Sequence, residues 1–163
     1  MDARDKCRKC LSCQQLCENP GDLVCARCNI SYTAPPKKYK IMIVDDDLQL
    51  AQELKKKLEA TLYFEVATAY DGAKGYEKIS YEKPGLILVD VFMPRLNGPD
   101  FVEKMRREED PHLRSLPIIV MLEKENNVKL FEAGDIQGVI QKPVSLRELF
   151  DMIIHLLQIR KAA

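Results

Sequence analysis

Ile41-Met42-Ile43-Val44-Asp45-Asp46-Asp47 is the stretch on which the fold turns: four apolar residues followed at once by three carboxylates. A continuous apolar run this short reads as a strand covered on both faces, as in a parallel sheet packed between helices. Two further segments end in the same way. Leu86-Ile87-Leu88-Val89 runs into Asp90, and Gly138-Val139-Ile140-Gln141 runs into Lys142-Pro143. Open α/β sheets bind ligands outside the carboxyl ends of their strands. If these strands are parallel neighbours, Asp45, Asp46 and Asp90 converge in one acidic cup with Lys142 at its rim. Such a cup suits a hard divalent cation and a phosphoryl group.

The segments between these runs read as crossovers. Leu50, Leu54, Leu58 and Leu62 recur at helical spacing, with Lys55, Lys56 and Lys57 on the other face. Residues 64–69 read as a second strand, and Asp71 can cap a helix reaching about Tyr81. Residues 118–121 form another continuous apolar run, and helices are expected over 99–107, 128–133 and 146–159. Ser145 and Glu148 have the spacing of a capping box. Strands alternating with helices in this order predict an α/β fold, a doubly wound five-stranded parallel sheet.

A chain of 163 residues with 46% hydrophobic composition has room for one ordinary core and a small appendage. Net charge is zero, but residues 1–40 carry eight Lys/Arg against four Asp/Glu, leaving seventeen against twenty-one for the rest. The head is +4 and the body −4. This split, with one small patch at Arg4, Lys6, Arg8 and Lys9, is too weak to predict nucleic-acid binding. The first thirty residues lack a secretory h-region and no apolar run is long enough for a bilayer, so a cytoplasmic location is expected. The six cysteines lie between positions 7 and 28, and thiols so crowded in a reducing compartment read as metal ligands. The chain therefore divides into a cysteine-rich segment at 1–30, a linker at 31–38 containing Pro35-Pro36, and a main domain at 39–160.

Val44-Asp45-Asp46-Asp47, Asp90-Val91-Phe92-Met93-Pro94 with Gly98 following, and Lys142-Pro143 resemble the receiver domain of bacterial two-component response regulators. The resemblance covers about residues 39 to 160 and implies the flavodoxin-like receiver fold. It implies that Asp90 is a carboxylate nucleophile accepting a phosphoryl group from a sensor histidine kinase. It further implies that Asp45, Asp46, Asp90 and the backbone carbonyl of Phe92 hold Mg2+, and that Lys142 pairs with the phosphoryl oxygens. Clustered carboxylates repel an incoming phosphoryl group, which is why a cation belongs there. Asp47 extends the acidic run and reads equally as a helix N-cap or a metal ligand. Phe92, two residues past Asp90, is placed to shield an acyl phosphate from water.

Two positions depart from the family pattern. The family places Ser or Thr at the end of the fourth strand and an aromatic residue on the fifth. Here Leu122 and Val139 stand at those positions, and the carboxylate of Glu123 follows. Leucine donates no hydrogen bond, so the expected consequence is intact phosphoryl acceptance with weakened or rewired coupling. A switch needs contacts that differ between its two states.

In the head, Cys7-x2-Cys10-x2-Cys13-x3-Cys17 is followed by Cys25-x2-Cys28. Two CxxC pairs predict a tetrathiolate Zn2+ site, zinc-ribbon-like, from Cys10, Cys13, Cys25 and Cys28, with Cys7 and Cys17 as substitutes. A segment this short would draw its folding free energy from the metal. The competing reading is an iron–sulfur cluster on the first four cysteines, against which Glu18 replaces the expected proline.

Two function classes remain. One is a phosphorelay receiver, signalling through protein contact to an unknown downstream protein, since no output domain is read after residue 160. The other is a pseudo-receiver scaffold acting without phosphorylation. A conventional enzyme is not expected, because the chain offers no Gly-rich phosphate loop and only His112 and His155. Neither a nucleic-acid nor a membrane partner is expected.

Overall fold

Apolar runs too short to be helices become strands, and the amphipathic stretches between them become their covers. The computed structural model describes residues 31–32, 38–61, 63–123, 125–132, 134–159 and 161–162. The cysteine segment, and with it the zinc and iron–sulfur expectations, lies outside the described residues. Outside the main sheet, β1 (Ser31–Tyr32) pairs antiparallel with β7 (Lys161–Ala162).

The main sheet has five parallel strands: β2 (Tyr39–Val44), β3 (Phe64–Ala69), β4 (Leu86–Asp90), β5 (Ile118–Leu122) and β6 (Gly138–Gln141), in the order β3-β2-β4-β5-β6. Every residue of β4 and β5 is buried, as their unbroken apolar sequences require. Chain order reverses between β2 and β4, which places the ligand-binding crevice of a doubly wound sheet at the ends of those two strands.

Helices form where caps and periodicity coincide. Asp47 caps α1 (Leu48–Glu59), which buries Ala51, Leu54 and Leu58. Asp71 caps α2 (Gly72–Glu82), and Asn97 caps α3 (Gly98–Arg106), where Pro99 occupies the first turn. A short α4 (Pro111–Arg114), capped by Asp110, was not anticipated. Ser145 accepts from the Glu148 amide at 3.4 Å to start α5 (Leu146–Leu156). The alternation of each strand sends Ile41, Ile43 and Leu88 to one face with α1 and α5, where Phe64 and Phe150 meet. Met42, Val44 and Val89 go to the other face with Phe101, Val102 and Met105 of α3.

One expected helix is corrected. The apolar spacing over 128–133 predicts a helix, but the crossover from β5 to β6 contains a 3-10 turn over Glu125–Leu130 instead. Asn126 and Asn127 are weak helix formers, and Gly134 at φ 94 turns the chain out of a helical path. Too few residues remain between them to recover the cost of nucleation. The crossover is held by Arg106, which donates to the carbonyls of Asp135 and Arg114 and to the Gln137 side chain.

The outer edge of the sheet at β3 is covered by side chains. Lys55 donates to the Val66 carbonyl at 2.7 Å, Glu59 accepts from the Val66 amide at 3.0 Å, and Lys78 donates to the Thr68 carbonyl at 2.8 Å. Among the described residues no helix is long and apolar enough to cross a membrane.

Candidate functional site

Parallel register does most of the assembly. Val44 lies opposite Val89, so the next residues, Asp45 and Asp90, leave the sheet side by side. Oxygens of Asp45, Asp46 and Asp90 all lie within 4.8 Å of one another. Lys142 arrives from two strands away, just past β6. Its amide donates to the Leu122 carbonyl at 2.6 Å. Its Nζ reaches back across the pocket to Asp90 Oδ1 at 2.7 Å and Asp45 Oδ2 at 2.9 Å. The three carboxylates and the lysine expected to meet are brought together.

Asp45 is fully buried at 0% exposure. Its Oδ1 accepts from the Asp47 amide at 2.8 Å. Its Oδ2 pairs with the Lys142 ammonium at 2.9 Å. Burial pushes the Asp45 carboxyl above its ordinary range, and the Lys142 ammonium and Asp47 amide offset this only in part. Burial also opposes the Lys142 ammonium, but hydrogen bonds and charge from Asp90 and Asp45 outweigh it and hold that group above the usual lysine range. Asp46, by contrast, is exposed and opens the pocket to solvent.

The donor set fits a hard divalent cation. Two oxygens each about 2.1 Å from one Mg2+ stand at most about 4.2 Å apart, so a 4.8 Å cluster needs only slight closure. Asp45 Oδ2, buried with the Lys142 ammonium beside it, keeps lone-pair capacity that a cation would use. Asp45, Asp46 and Asp90 are the groups placed to hold it. Asp47 does other work: its Oδ1 accepts from the Gln49 and Leu50 amides at 2.9 and 3.0 Å, which is the N-cap reading.

The loop after Asp90 is fixed by backbone as well as side chains. The Phe92 amide donates to Asp90 Oδ2 at 3.0 Å, while the Phe92 ring is 57% exposed beside the pocket. The Gly98 amide donates to the Val91 carbonyl at 2.8 Å. A Cβ at Gly98 would come within 2.5 Å of the Asp90 carbonyl oxygen, which explains why glycine starts α3. Leu122 is 1% exposed at the end of β5, and Val139, half-buried on β6, pairs with Val120.

One pair escaped the sequence reading. Arg95 Nη2 donates to Asp71 Oδ2 at 2.6 Å, joining the loop after Asp90 to the start of α2. Asp71 was legible as a cap, but nothing local in the sequence links it to an arginine 24 residues on.

A family model described as the response regulator receiver domain matches residues 41–154. The chain is 33% identical over 112 residues to the transcriptional regulatory protein CrdR of Helicobacter pylori, covering 68% of this chain and 51% of that protein. It is 30% identical over 125 residues to hybrid signal transduction histidine kinase D of Dictyostelium discoideum, covering 75% of this chain but 8% of that protein. Among solved structures it is similar to a CheY-like response regulator receiver domain protein from Methanospirillum hungatei, with 28% identity and a TM-score of 0.66 over 75% of this chain and 95% of that one. The chain thus spans at most about half the length of these two curated relatives.

Proposed function

The chain belongs to the response regulator receiver family, and from that membership we propose that it accepts a phosphoryl group on Asp90 within a two-component phosphorelay. The observation that carries the reading is the acidic cluster with Lys142 Nζ 2.7 Å from Asp90 Oδ1. In the proposed step an Asp90 oxygen bonds to phosphorus as the donor's phosphorus–nitrogen bond on a kinase histidine breaks, and the released imidazole nitrogen takes a proton. Lys142, already inside the pocket, exchanges its contact with Asp90 for one with the phosphoryl oxygens. The Phe92 amide holds the acceptor carboxylate in place, and the exposed Phe92 ring screens the acyl phosphate from water. A bound Mg2+ would supply charge neutralisation for the acidic cluster and the entering group. The chain turns over no free substrate in this scheme. Its partners are a histidine kinase and a downstream protein.

The output is proposed to run along a different path from a hydroxyl and aromatic relay. Leu122 fills the strand-end position with a buried apolar side chain, and Val139 fills the other. Loss of one hydrogen bond to a charged group, about 1.5–3 kcal/mol, removes much of the bias such a relay supplies. A scaffold acting without phosphorylation is the weaker reading, because it leaves the cation pocket and Lys142 without a purpose.

The test is incubation with Mg2+ and acetyl phosphate, followed by intact mass of wild type and Asp90→Ala. A phosphate increment lost in the variant is expected. An unphosphorylated wild type whose Asp45, Asp46 and Asp90 signals also ignore beryllofluoride would overturn the reading. For the head, the support is the spacing of Cys10, Cys13, Cys25 and Cys28, on which we propose a Zn2+ site. Metal analysis of the purified chain is expected to return zinc; iron with acid-labile sulfide would replace it by a cluster.

A further inference from the structure

We propose that Arg95 and Asp71 form a positioning pair that sets the 91–97 loop, and through it the Phe92 carbonyl and Asp90 carboxylate, for cation binding. The proposal rests on the reading of Asp90 and Phe92 given above. Its starting point is a conformation that the residue type does not favour. Arg95 has φ 68, in the left-handed region where a Cβ crowds the backbone and where glycine is the easier choice. Such a conformation persists only when its surroundings enforce it, and these outliers gather at functional sites.

The surroundings here are specific. The Asp71 carboxylate is only 2% exposed and both oxygens are committed: Oδ1 accepts from the Lys74 amide at 2.8 Å and Oδ2 from Arg95 at 2.6 Å. One oxygen fixes the start of α2, and the other fixes the loop to it. The two segments also touch through their backbones, since a Cβ at Gly72 would lie 2.0 Å from the Leu96 carbonyl oxygen. At its far end the loop is closed by the Gly98 amide on the Val91 carbonyl at 2.8 Å. Between these anchors stands Phe92, whose amide holds Asp90 Oδ2. The charged pair therefore acts on the acceptor without touching it.

Arginine at this turn is not explained by packing, because its side chain is 63% exposed. Were the turn alone important, glycine would serve better. That contrast supplies the test. Mg2+ affinity is measured by NMR titration on the full chain for wild type, Arg95→Gly, Arg95→Lys and Asp71→Asn, the last retaining a good N-cap. Phosphate uptake from acetyl phosphate is followed on the same proteins by intact mass, with Asp90→Ala as the acceptor control. Arg95→Gly and Asp71→Asn are expected to weaken Mg2+ binding about tenfold, the scale typical of groups that orient metal ligands. Uptake should slow at subsaturating Mg2+ and recover when Mg2+ is raised, and Arg95→Lys should regain part of the loss. Wild-type Mg2+ affinity in Arg95→Gly would overturn the proposal, whatever the change in thermal stability. A wild type that binds Mg2+ but takes no phosphate would defeat the phosphorelay reading and leave the pair to be decided by the Mg2+ ratios. A wild type that binds no Mg2+ would overturn both.

Discussion

Replacing Lys142 by Met removes the one ammonium that the described residues place between Asp45 and Asp90, while nearly preserving side-chain volume. In the wild type Nζ lies 2.7 and 2.9 Å from two carboxylate oxygens, and the lysine, Asp45 and Asp90 side chains are 18%, 0% and 8% exposed. Breaking a buried pair by deleting one partner costs about 3–5 kcal/mol. The open side at Asp46 lets water relieve part of this, so the lower end, about 3 kcal/mol, is expected in EDTA. For a chain of this length that is a fall in Tm of about 6–12 °C. The loss should depend on pH with a definite sign. Asp45 is already raised above its ordinary 3.8, and Lys142 is among the groups that restrain that rise. Without the lysine the folded state holds the Asp45 proton still more tightly. The added penalty is therefore full above the variant's raised Asp45 pKa and fades as pH falls from there to 3.8, below which the carboxyl is neutral in both states. Mg2+ should narrow the gap at neutral pH, because the variant's cation site has lost a repelling neighbour and gains more from binding. Urea unfolding followed by far-UV circular dichroism, with EDTA and then with Mg2+, measures each quantity. A variant within about 0.5 kcal/mol of wild type in EDTA, the range of an ordinary surface substitution, would refute the account of the pocket.

Other substitutions probe the remaining parts. Gly98→Ala drives a methyl group to 2.5 Å from the Asp90 carbonyl; a loss of about 1–3 kcal/mol in urea unfolding and slower phosphate uptake are expected. Asp47→Ala removes the α1 cap and should cost about 1 kcal/mol of stability while leaving the Mg2+ dissociation constant within about twofold of wild type. A far larger loss of affinity would make Asp47 a ligand. Leu122→Thr puts a hydroxyl at the end of β5, and NMR shifts over residues 122–142 on adding beryllofluoride should exceed those of wild type; equal shifts would show that the buried leucine does not limit coupling.

Much of the fold was legible because its signals are local. The run 86–89 is entirely apolar and ends on Asp90, so its strand, its burial and the acceptor position are one observation. The same holds for Ile41 to Val44 and Asp45. Lys142 was legible for a weaker reason, its place after a strand, and only the strand order explains why it reaches both acids. The helix expected over 128–133 gives way to a 3-10 turn over 125–130 because apolar spacing over one turn does not weigh nucleation. Helix α4 was missed although Asp110-Pro111 is a start signal, because four residues carry no periodicity. The Arg95 and Asp71 pair had no local signature: its meaning depends on a loop and a helix start meeting through space.

The covered edge of β3 bears on how these molecules meet one another. A free strand edge is a template for another chain, and proteins that stay dispersed obstruct it. Three main-chain groups that would receive a sixth strand, the Val66 carbonyl, the Val66 amide and the Thr68 carbonyl, are already bonded to Lys55, Glu59 and Lys78 respectively. An intruding peptide must first detach three charged side chains, each bond worth about 1.5–3 kcal/mol, before it gains a ladder of its own. The lysines that make α1 and α2 look merely soluble thus guard this flank against fibrillar stacking.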